Sequence, residues 1–296
     1  MTDLSHYSTQ SRVTDPGARS ALLAGLTGDF AQLRRTVSGL VIHYRADSPL
    51  AKGVPAQRMR EIDTRYIETM LSRLAELAGG SLDEPRRPAQ RLVGCCRDFT
   101  VLYVAALRAR GIPARARVGF ATYFVADYAV DHEVAEVWDA DRARWRLVDP
   151  ELDDGHTGPD GTRIDPLDLI PDQFVPAGAA WQLCRTGNAD PARFVVDPGL
   201  DIPETHGMPQ IAHNLVHDLA ALNCAEMLLW DEWGWGENRS LTDSEQELLD
   251  RVAAVTTGGD SLQARRLYED EPLLRVPDTV TSVDPLGGPP RTVTWR

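Results

Sequence analysis

Three side chains near the middle of the chain have the types and the order of a nucleophilic site: Cys96, His132 and Asp149. A thiol paired with an imidazole, itself oriented by a carboxylate, can attack a carbonyl and carry the acyl group as a thioester. Taken singly, each residue has a plainer interpretation as a buried cysteine, a surface histidine and a turn acid before Pro150. Their combination predicts chemistry, provided that the fold brings them together.

Cys96 opens a helical pattern that runs to Arg110. At the first turn of a helix, unpaired backbone N–H groups and the positive end of the helix dipole stabilise an anion. We therefore expect the pKa of the Cys96 thiol to fall below its ordinary value of about 8.5, and the same N–H groups to bind an oxyanion. Gly94 has no side chain and would let a substrate backbone approach the thiol.

The histidine and the aspartate lie on two neighbouring strand-like runs that together predict a hairpin. If Val137 lies opposite Arg144, then His132 lies opposite Asp149, and directly opposed side chains have Cβ atoms about 5 Å apart. The carboxylate would then fix the imidazole tautomer and leave the other ring nitrogen free for the thiol proton. A shift of two residues in this register would still leave the pair as diagonal neighbours.

Helices are predicted on both sides of the hairpin, so the expected fold class is α+β: a nucleophile helix packed on a small antiparallel sheet, wrapped by helices from both ends. Helical spacing marks residues 29–44, 56–77, 96–110 and 209–230, and a capping box at Thr242 opens a further helix. Strand-like runs cover residues 114–121, 132–138 and 145–148.

We interpret the whole chain, residues 1–296, as a single domain. Its predicted parts are N-terminal helices at 15–55, a catalytic core at about 56–176, C-terminal helices at 177–270 and a proline-rich tail at 271–296.

Four stretches of this core resemble the transglutaminase-like superfamily: residues 94–100, 107–115, 131–138 and 145–150. They read Gly-x-Cys at the start of a helix, Arg-x-Arg-Gly-Ile-Pro-Ala-Arg into a strand, a histidine strand, and a strand ending in Asp-Pro. The resemblance implies a papain-like Cys-His-Asp core, with Cys96 as nucleophile, His132 as base and Asp149 as orienting acid. The flanking helices resemble those of bacterial transglutaminase-domain proteins.

Four residues are candidates for substrate binding: Gly94, Cys95, Glu133 and Trp233. Cys95 places a second thiol beside the nucleophile, where the resembled family usually has another residue. Glu133 stands where an aromatic residue often follows the family histidine. Its carboxylate favours either a polar or cationic acceptor or simply solvent, and solvent is the stronger interpretation. Trp233 lies in a tryptophan-rich run, residues 230–236, which predicts a stacking wall or, more commonly, a loop packed on the core.

The composition argues against several classes of partner. The chain has 44 acidic and 31 basic residues and a net charge of −13, which repels phosphate backbones and anionic lipid, so we expect neither nucleic acid nor membrane as a partner. No apolar stretch approaches the roughly 20 residues of a membrane span, and the start lacks a secretory signal pattern. Four cysteines, two of them adjacent, predict free thiols in a reducing cytoplasm.

The predicted chemistry requires no cofactor, and we expect no metal site. His213 and His217 are four residues apart on a predicted helix, a spacing that can chelate a metal. However, Asn214 stands where the usual glutamate would be, and the sequence suggests no third ligand.

Acyl transfer through a Cys96 thioester is the function that the pattern favours, on a peptide, amide or acyl-thioester substrate. With water as acceptor the enzyme is an amidase or protease, and with an amine it is an amide-forming ligase. The sequence leaves this choice open. Two alternatives remain: a biosynthetic acyltransferase that takes thioesters from a carrier protein, and a binding module that kept the fold without the chemistry. The intact Cys, His and Asp positions argue against the binding module.

Overall fold

The computed structural model describes residues 3–234 and 241–295, so Trp235 and Gly236 of the tryptophan-rich run lie outside the described residues. No helix in these two ranges is long and apolar enough to cross a membrane. The α-helices are α1 (Leu4–Tyr7), α2 (Ser20–Ala24), α3 (Phe30–Leu40), α4 (Ile67–Leu77), α5 (Cys96–Arg108), α6 (Ala177–Arg185), α7 (Gly207–Leu222), α8 (Asp243–Thr257) and α9 (Ser261–Asp270).

Strands occur between these helices and again at the C-terminal end. They are β1 (Val41–His43), β2 (Leu92–Gly94), β3 (Ala114–Ala121), β4 (Ala129–Asp139), β5 (Arg144–Val148), β6 (Phe174–Pro176), β7 (Phe194–Val195), β8 (Asp231–Glu232), β9 (Thr279–Ser282) and β10 (Arg291–Thr294). The α+β class is confirmed, and β3 has the limits that its sequence predicts.

The central sheet carries the candidate site on its long strand β4. The strand order is β5-β4-β3-β6, with antiparallel neighbours throughout, and β7 adds a short parallel pairing at the start of β4. In the β3–β4 ladder, His132 lies opposite Gly119. The predicted antiparallel sheet is therefore present, with β6 and β7 as additions that the sequence pattern did not indicate.

Helix α5 lies at the centre of the molecule, and all 13 of its residues are buried. It packs against β4, α3 and α4, and the first core cluster joins residues such as Leu33, Met70, Leu102 and Val137. Gly111 stands just beyond its C-terminal turn with a φ of +70°, a conformation that glycine adopts without strain. The burial around α5 fixes the position of its first residue, Cys96.

A second core cluster covers the other part of the sheet. It is built mainly from α6, α7 and α8, with Trp181, Leu215 and Leu249 among its buried residues, and it includes Phe120 of β3. The sheet is thus enclosed by helices, which agrees with the predicted helical wrap from both ends.

The strongest predicted helix, residues 56–77, is interrupted. Residues Ala56–Asp63 form a 3₁₀ helix, and the chain is extended from Thr64 to Tyr66 before α4 begins. The buried guanidinium of Arg97 explains the break, because it donates to the carbonyl of Arg65 at 2.7 Å and to that of Thr64 at 3.4 Å. A continuous helix would use these carbonyls for its own hydrogen bonds.

The predicted C-terminal elements also differ in part. The helix predicted at 209–230 ends at Leu222, whereas the capping box at Thr242 opens α8 as expected. The proline-rich tail forms β9 and β10, which pair with each other, and β9 also pairs with β8. Val280 of β9 is 3% exposed, so burial of apolar side chains holds this part of the tail on the core.

The hairpin register differs from the prediction by two residues. Val137 lies opposite Arg146, while Arg144 lies opposite Asp139. The turn is shorter than expected because Ala143 adopts a left-handed φ of +49° and Asp139 Oδ1 accepts the N–H of Arg142 at 3.1 Å. His132 and Asp149 are therefore diagonal neighbours rather than directly opposed.

Candidate active site

His132 and Asp149 are in direct contact despite the shifted register. His132 Nε2 lies 2.8 Å from Asp149 Oδ2, and the two side chains are 2% and 0% exposed. An ionised carboxylate only accepts hydrogen bonds, so Nε2 carries the hydrogen. This contact leaves Nδ1 as the ring nitrogen that is free of Asp149, which suits it to accept a proton from a thiol.

Asp149 is held by two further hydrogen bonds. The hydroxyl of Tyr123 donates to Oδ2 at 2.6 Å, and the backbone N–H of Glu151 donates to Oδ1 at 2.8 Å. Burial alone would raise the pKa of Asp149. His132, Tyr123 and the Glu151 N–H lower it by more than burial raises it, so the net shift is downward. The carboxylate is thus kept ionised inside the protein.

The imidazole of His132 is fixed by aromatic rings as well as by Asp149. Tyr123 and Phe124 contact it edge to face, with ring centroids 6.1 Å and 5.0 Å away. Burial lowers the pKa of His132, but the Asp149 carboxylate outweighs burial and raises the pKa overall. These contacts restrain the orientation of a base that is readily protonated.

Cys96 is the first residue of α5, as predicted, and Cys95 is its N-cap. The carboxylate of Asp98 accepts the Cys95 N–H at 2.9 Å, and the buried Arg97 donates to the same carboxylate at 3.1 Å. The negative charge of Asp98, which caps the start of α5, is therefore balanced by the guanidinium of Arg97. Both thiols are buried and free, with Cys95 3% and Cys96 6% exposed.

The predicted lowering of the Cys96 pKa is not found in the ligand-free site. Contact with the Cys95 thiol raises the pKa of Cys96, and burial and the carboxylates of Glu151 and Asp131 raise it further. The helix N-terminus and a protonated His132 act in the opposite direction, but the net direction is upward. Cys96 therefore rests as a protonated thiol that needs a base when it reacts.

Cys96 and His132 line the same cleft, which has a volume of about 1490 Å³. No hydrogen bond joins the two side chains among the residues that the structure describes. Such contacts are often long in ligand-free enzymes and tighten when substrate binds. The cleft walls are largely apolar and include five aromatic side chains: Tyr44, Phe124, Trp181, Trp230 and Trp233.

Two of the predicted substrate-binding residues are placed differently from expectation. A Cβ on Gly94 would come within 2.6 Å of Asp98 Oδ2 and 2.9 Å of Val41 Cγ1, so close packing, rather than substrate approach, requires a glycine there. Glu133 is 2% exposed and does not face solvent, because β4 is covered on both faces. Burial raises the pKa of Glu133 well above its usual range, and its Oε1 has no hydrogen-bond partner among the described residues.

The other two predicted residues, Cys95 and Trp233, do line the cleft. Trp233 is also part of the core: it is 7% exposed, its indole N–H donates to the carbonyl of Leu274 at 3.2 Å, and its ring packs on His217 at 4.7 Å. Both interpretations of the tryptophan-rich run thus apply to Trp233.

His213 and His217 are stacked on α7, with ring centroids 4.3 Å apart. The Nε2 atom of His213 bonds the carbonyl of Leu229 at 2.8 Å, and that of His217 bonds the carbonyl of Asp231 at 2.9 Å. In the described ranges, no group of three or more His, Cys, Asp or Glu side chains is arranged to hold a metal ion. The two histidines serve as hydrogen-bonded wall residues of the cleft.

Sequence reasoning missed four residues of the site: Tyr123, Phe124, Asp131 and Glu151. Tyr123 and Phe124 lie in the connection between β3 and β4, where no periodic pattern marks them. Asp131 and Glu151 line the cleft. In the sequence, Asp131 directly precedes His132, and Glu151 lies two positions after Asp149. Proximity to a predicted triad was the one signal available for them.

Residues 53–150 match the sequence profile of the transglutaminase-like superfamily. No curated protein matches the chain. Among solved structures, one from Cytophaga hutchinsonii, provisionally assigned as a cysteine protease, shares 16% identity and a TM-score of 0.34, over 56% of this chain and 47% of that one. The chain therefore spans about half the length of that protein.

The fold and the site define a class: a mixed helix-and-sheet protein with a cysteine at the start of its central helix and a His–Asp pair on the adjoining strands. The match over residues 53–150 confirms the resemblance to the transglutaminase-like superfamily that residues 94–150 show. In general terms, the match to this superfamily supports the interpretation of the protein as a cysteine-dependent enzyme.

Proposed function

We propose that the protein is a cysteine-dependent acyltransferase or hydrolase that forms a thioester on Cys96. The observation that carries this proposal is the buried contact between His132 Nε2 and Asp149 Oδ2 at 2.8 Å, beside the cleft that Cys96 lines. A structural histidine would not need a buried carboxylate, a tyrosine hydroxyl and two aromatic rings to fix its orientation. A base that must meet a thiol in one geometry does.

In the first half-reaction, the Cys96 thiol attacks the carbonyl of an amide or thioester while Nδ1 of His132 takes its proton. This route suits a thiol whose pKa is raised at rest, since proton removal accompanies attack. The N–H of Cys96 lies in the first turn of α5, where helix geometry leaves it without an intrahelical acceptor, and it is the candidate donor to the oxyanion. Protonated His132 then gives its proton to the leaving amine or thiol, and the acyl group stays on sulfur.

In the second half-reaction, an acceptor attacks the thioester and His132 takes the acceptor's proton. Water gives a carboxylic acid, as in an amidase or protease, and an amine gives a new amide. The cleft is roomy and largely apolar, which is compatible with an extended peptide or a bulky acyl group. We propose a peptide, amide or acyl-thioester substrate and a cytoplasmic location, with neither nucleic acid nor membrane as a partner.

Two alternatives stay in the proposal. An acyltransferase that uses carrier-protein thioesters would have the same first half-reaction with a thiol as leaving group. A binding module without chemistry would have no use for the buried His–Asp pair, and the ordered Asp149 contacts count against it.

Intact-mass spectrometry after incubation with amide, peptide and acyl-thioester panels tests the proposal. We expect an acyl mass on the wild-type protein, mapped to Cys96, and none on Cys96→Ala. A Cys184→Ala variant is the matched control, because Cys184 is a free thiol on α6 that is not among the described residues that line the cleft. An acyl adduct that persists in Cys96→Ala, or the absence of any adduct with all three panels, would refute a thioester enzyme.

A further inference from the structure

Glu151 is a cleft residue that the proposed chemistry does not use. Its N–H is bound to Asp149 Oδ1 at 2.8 Å, and its carbonyl accepts the hydroxyl of Ser38 at 3.3 Å, so its backbone is fixed on both sides. Glu151 lines the cleft together with Cys96 and His132. The Oε2 atom is buried and has no hydrogen-bond partner in the described part of the chain.

Other acids of the cleft have partners within the protein. Asp231 pairs with Arg65, Asp284 with Arg60 at 2.6 Å, and Asp197 with Arg45 at 2.6 Å. Asp131, which also lines the cleft, accepts the amide of Asn214 at 2.7 Å. Within the described ranges, Arg45 is the one arginine or lysine of the lining.

A carboxylate oxygen that is buried without a partner is costly, because it has lost its water and gained nothing in return. Burial raises the pKa of Glu151 to about 8, so the carboxyl is mainly uncharged at neutral pH while the cleft is empty. The charged groups that act on it are His132 of β4, Asp149 after β5 and Asp47 after β1, and Cys96 of α5 is a further titratable neighbour. A cation entering the cleft would supply the missing partner and favour the ionised form.

We propose that Glu151 is a specificity-determining residue of the cleft, and that its carboxylate selects substrates with an ammonium or guanidinium group close to the carbonyl that Cys96 attacks. This inference rests on the proposed role of Cys96 as nucleophile. A cationic partner was the weaker of the two interpretations of Glu133 from the sequence, and the structure favours Glu151 for that role instead. Glu133 of β4 is buried and is not among the described residues that line the cleft.

Charge-selective thiol reagents test this inference without any substrate. The probes are 2-(trimethylammonium)ethyl methanethiosulfonate, a permanent cation, and 3,3-dimethylbutyl methanethiosulfonate, its uncharged isostere. In both reactions the Cys96 thiolate displaces methanesulfinate and forms a mixed disulfide. The ratio of the two rates cancels the ionisation of Cys96, and fragmentation of the labelled peptide separates Cys96 from Cys95.

We expect the cation-to-neutral rate ratio at Cys96 to be higher in the wild type than in Glu151→Gln, by about tenfold at pH 9, where Glu151 is ionised. At pH 7 the difference should be smaller, because part of the Glu151 population holds its proton. Asp153→Asn removes the same charge from an exposed side chain two residues away and should keep the wild-type ratio.

An equal ratio in wild type and Glu151→Gln at both pH values would overturn the inference, and so would a failure of both reagents to reach Cys96. The outcome is separable from that of the acylation experiment. A cation preference at Cys96 without any acyl-enzyme would keep Glu151 as a cation site and refute acyl transfer. An acyl-enzyme without a cation preference would keep acyl transfer and refute the role of Glu151.

Discussion

Tyr123 donates its hydroxyl to Asp149 Oδ2 at 2.6 Å, and this is the same oxygen that receives His132 Nε2 at 2.8 Å. One carboxylate oxygen thus joins a loop between β3 and β4, the strand β4 and the segment after β5. Two donors on one oxygen lower its basicity and fix its direction. The orientation of the candidate base therefore depends on a tyrosine that does not itself belong to the Cys-His-Asp set.

Tyr123→Phe should lower kcat by about tenfold and leave KM nearly unchanged, since one hydrogen bond to a charged group is worth about 1.5–3 kcal/mol. Without the hydroxyl, Asp149 becomes more basic and pulls more strongly on the His132 proton, so the pKa of His132 rises. The acidic limb of the kcat/KM profile should move to higher pH. A lower kcat with an unmoved limb would mean that Tyr123 only supports packing.

Asp149→Asn should reduce turnover by roughly tenfold to a thousandfold, less than the loss seen for an orienting acid in a serine triad, because a thiol is the better nucleophile. The amide cannot stabilise a protonated His132, so the pKa of His132 falls and Cys96 should titrate higher. The measurements are turnover and the pH dependence of Cys96 alkylation.

Asp153→Asn, which alters an exposed acid nearby, is the control for the Asp149 variant. Turnover and alkylation that both stay at wild-type values in Asp149→Asn would remove Asp149 from the site and leave a Cys–His dyad.

The role of His132 as the base has to be tested with two substitutions, because the residue lies within β4 and not at a strand start as its sequence suggested. The ring is 2% exposed and packs on Tyr123 and Phe124. His132→Ala should therefore lose activity and also roughly 1–3 kcal/mol of stability. His132→Gln fills more of the space and should lose activity with less change in melting temperature. Retention of most activity in the folded Gln variant would rule out His132 as the base.

Cys95→Ala should lower the pKa of Cys96, since contact with the Cys95 thiol is the largest cause of its upward shift. Iodoacetamide at pH 7 should then label Cys96 faster than in the wild type. In the wild type, sub-stoichiometric reagent should label Cys96 in preference to Cys95, because Cys96 occupies the first turn of α5. Predominant labelling of Cys95 would reverse the assignment of the nucleophile.

The sequence allowed prediction of the parts that depend on local patterns. Cys96 at a helix start and β3 with its limits follow from spacing and from glycine and proline positions. The break at Thr64–Tyr66 could not be foreseen, because it depends on Arg97, which is distant in sequence. The register was wrong by two residues because a left-handed Ala143 shortens the turn, and the local pattern favoured a longer one.

The same distinction applies to the site. His132 and Asp149 were found because a carboxylate on the neighbouring strand is in reach in either register. Tyr123 and the burial of Glu151 are products of loops that meet only in the folded chain, so their roles were invisible. The predicted direction of the Cys96 pKa was wrong because the prediction rested on the helix dipole alone. Contact with the neighbouring Cys95 thiol is the largest cause of the upward shift, and burial and the Glu151 and Asp131 carboxylates, which are properties of the assembled cleft, add to it.

Glu151 should also make the stability of the fold depend on pH. Burial raises its pKa from an ordinary value of 4.5 to about 8, so between these values the unfolded chain releases a proton that the folded chain keeps. The contribution of Glu151 to the free energy of unfolding is therefore highest below pH 4.5, falls as the pH rises towards 8, and stays constant above pH 8.

Glu151→Gln removes this titration, so its melting temperature should rise relative to the wild type as the pH increases from 5 to 8. Asp131, with a pKa raised to about 6 by burial, adds a similar but smaller decline that both proteins share. Differential scanning calorimetry of wild type, Glu151→Gln and Asp153→Asn at several pH values measures the difference directly. Asp153→Asn should follow the wild type, because its side chain is exposed. A melting-temperature difference between Glu151→Gln and wild type that does not change with pH would show that Glu151 is ionised in the empty cleft, with a partner that the free protein already supplies.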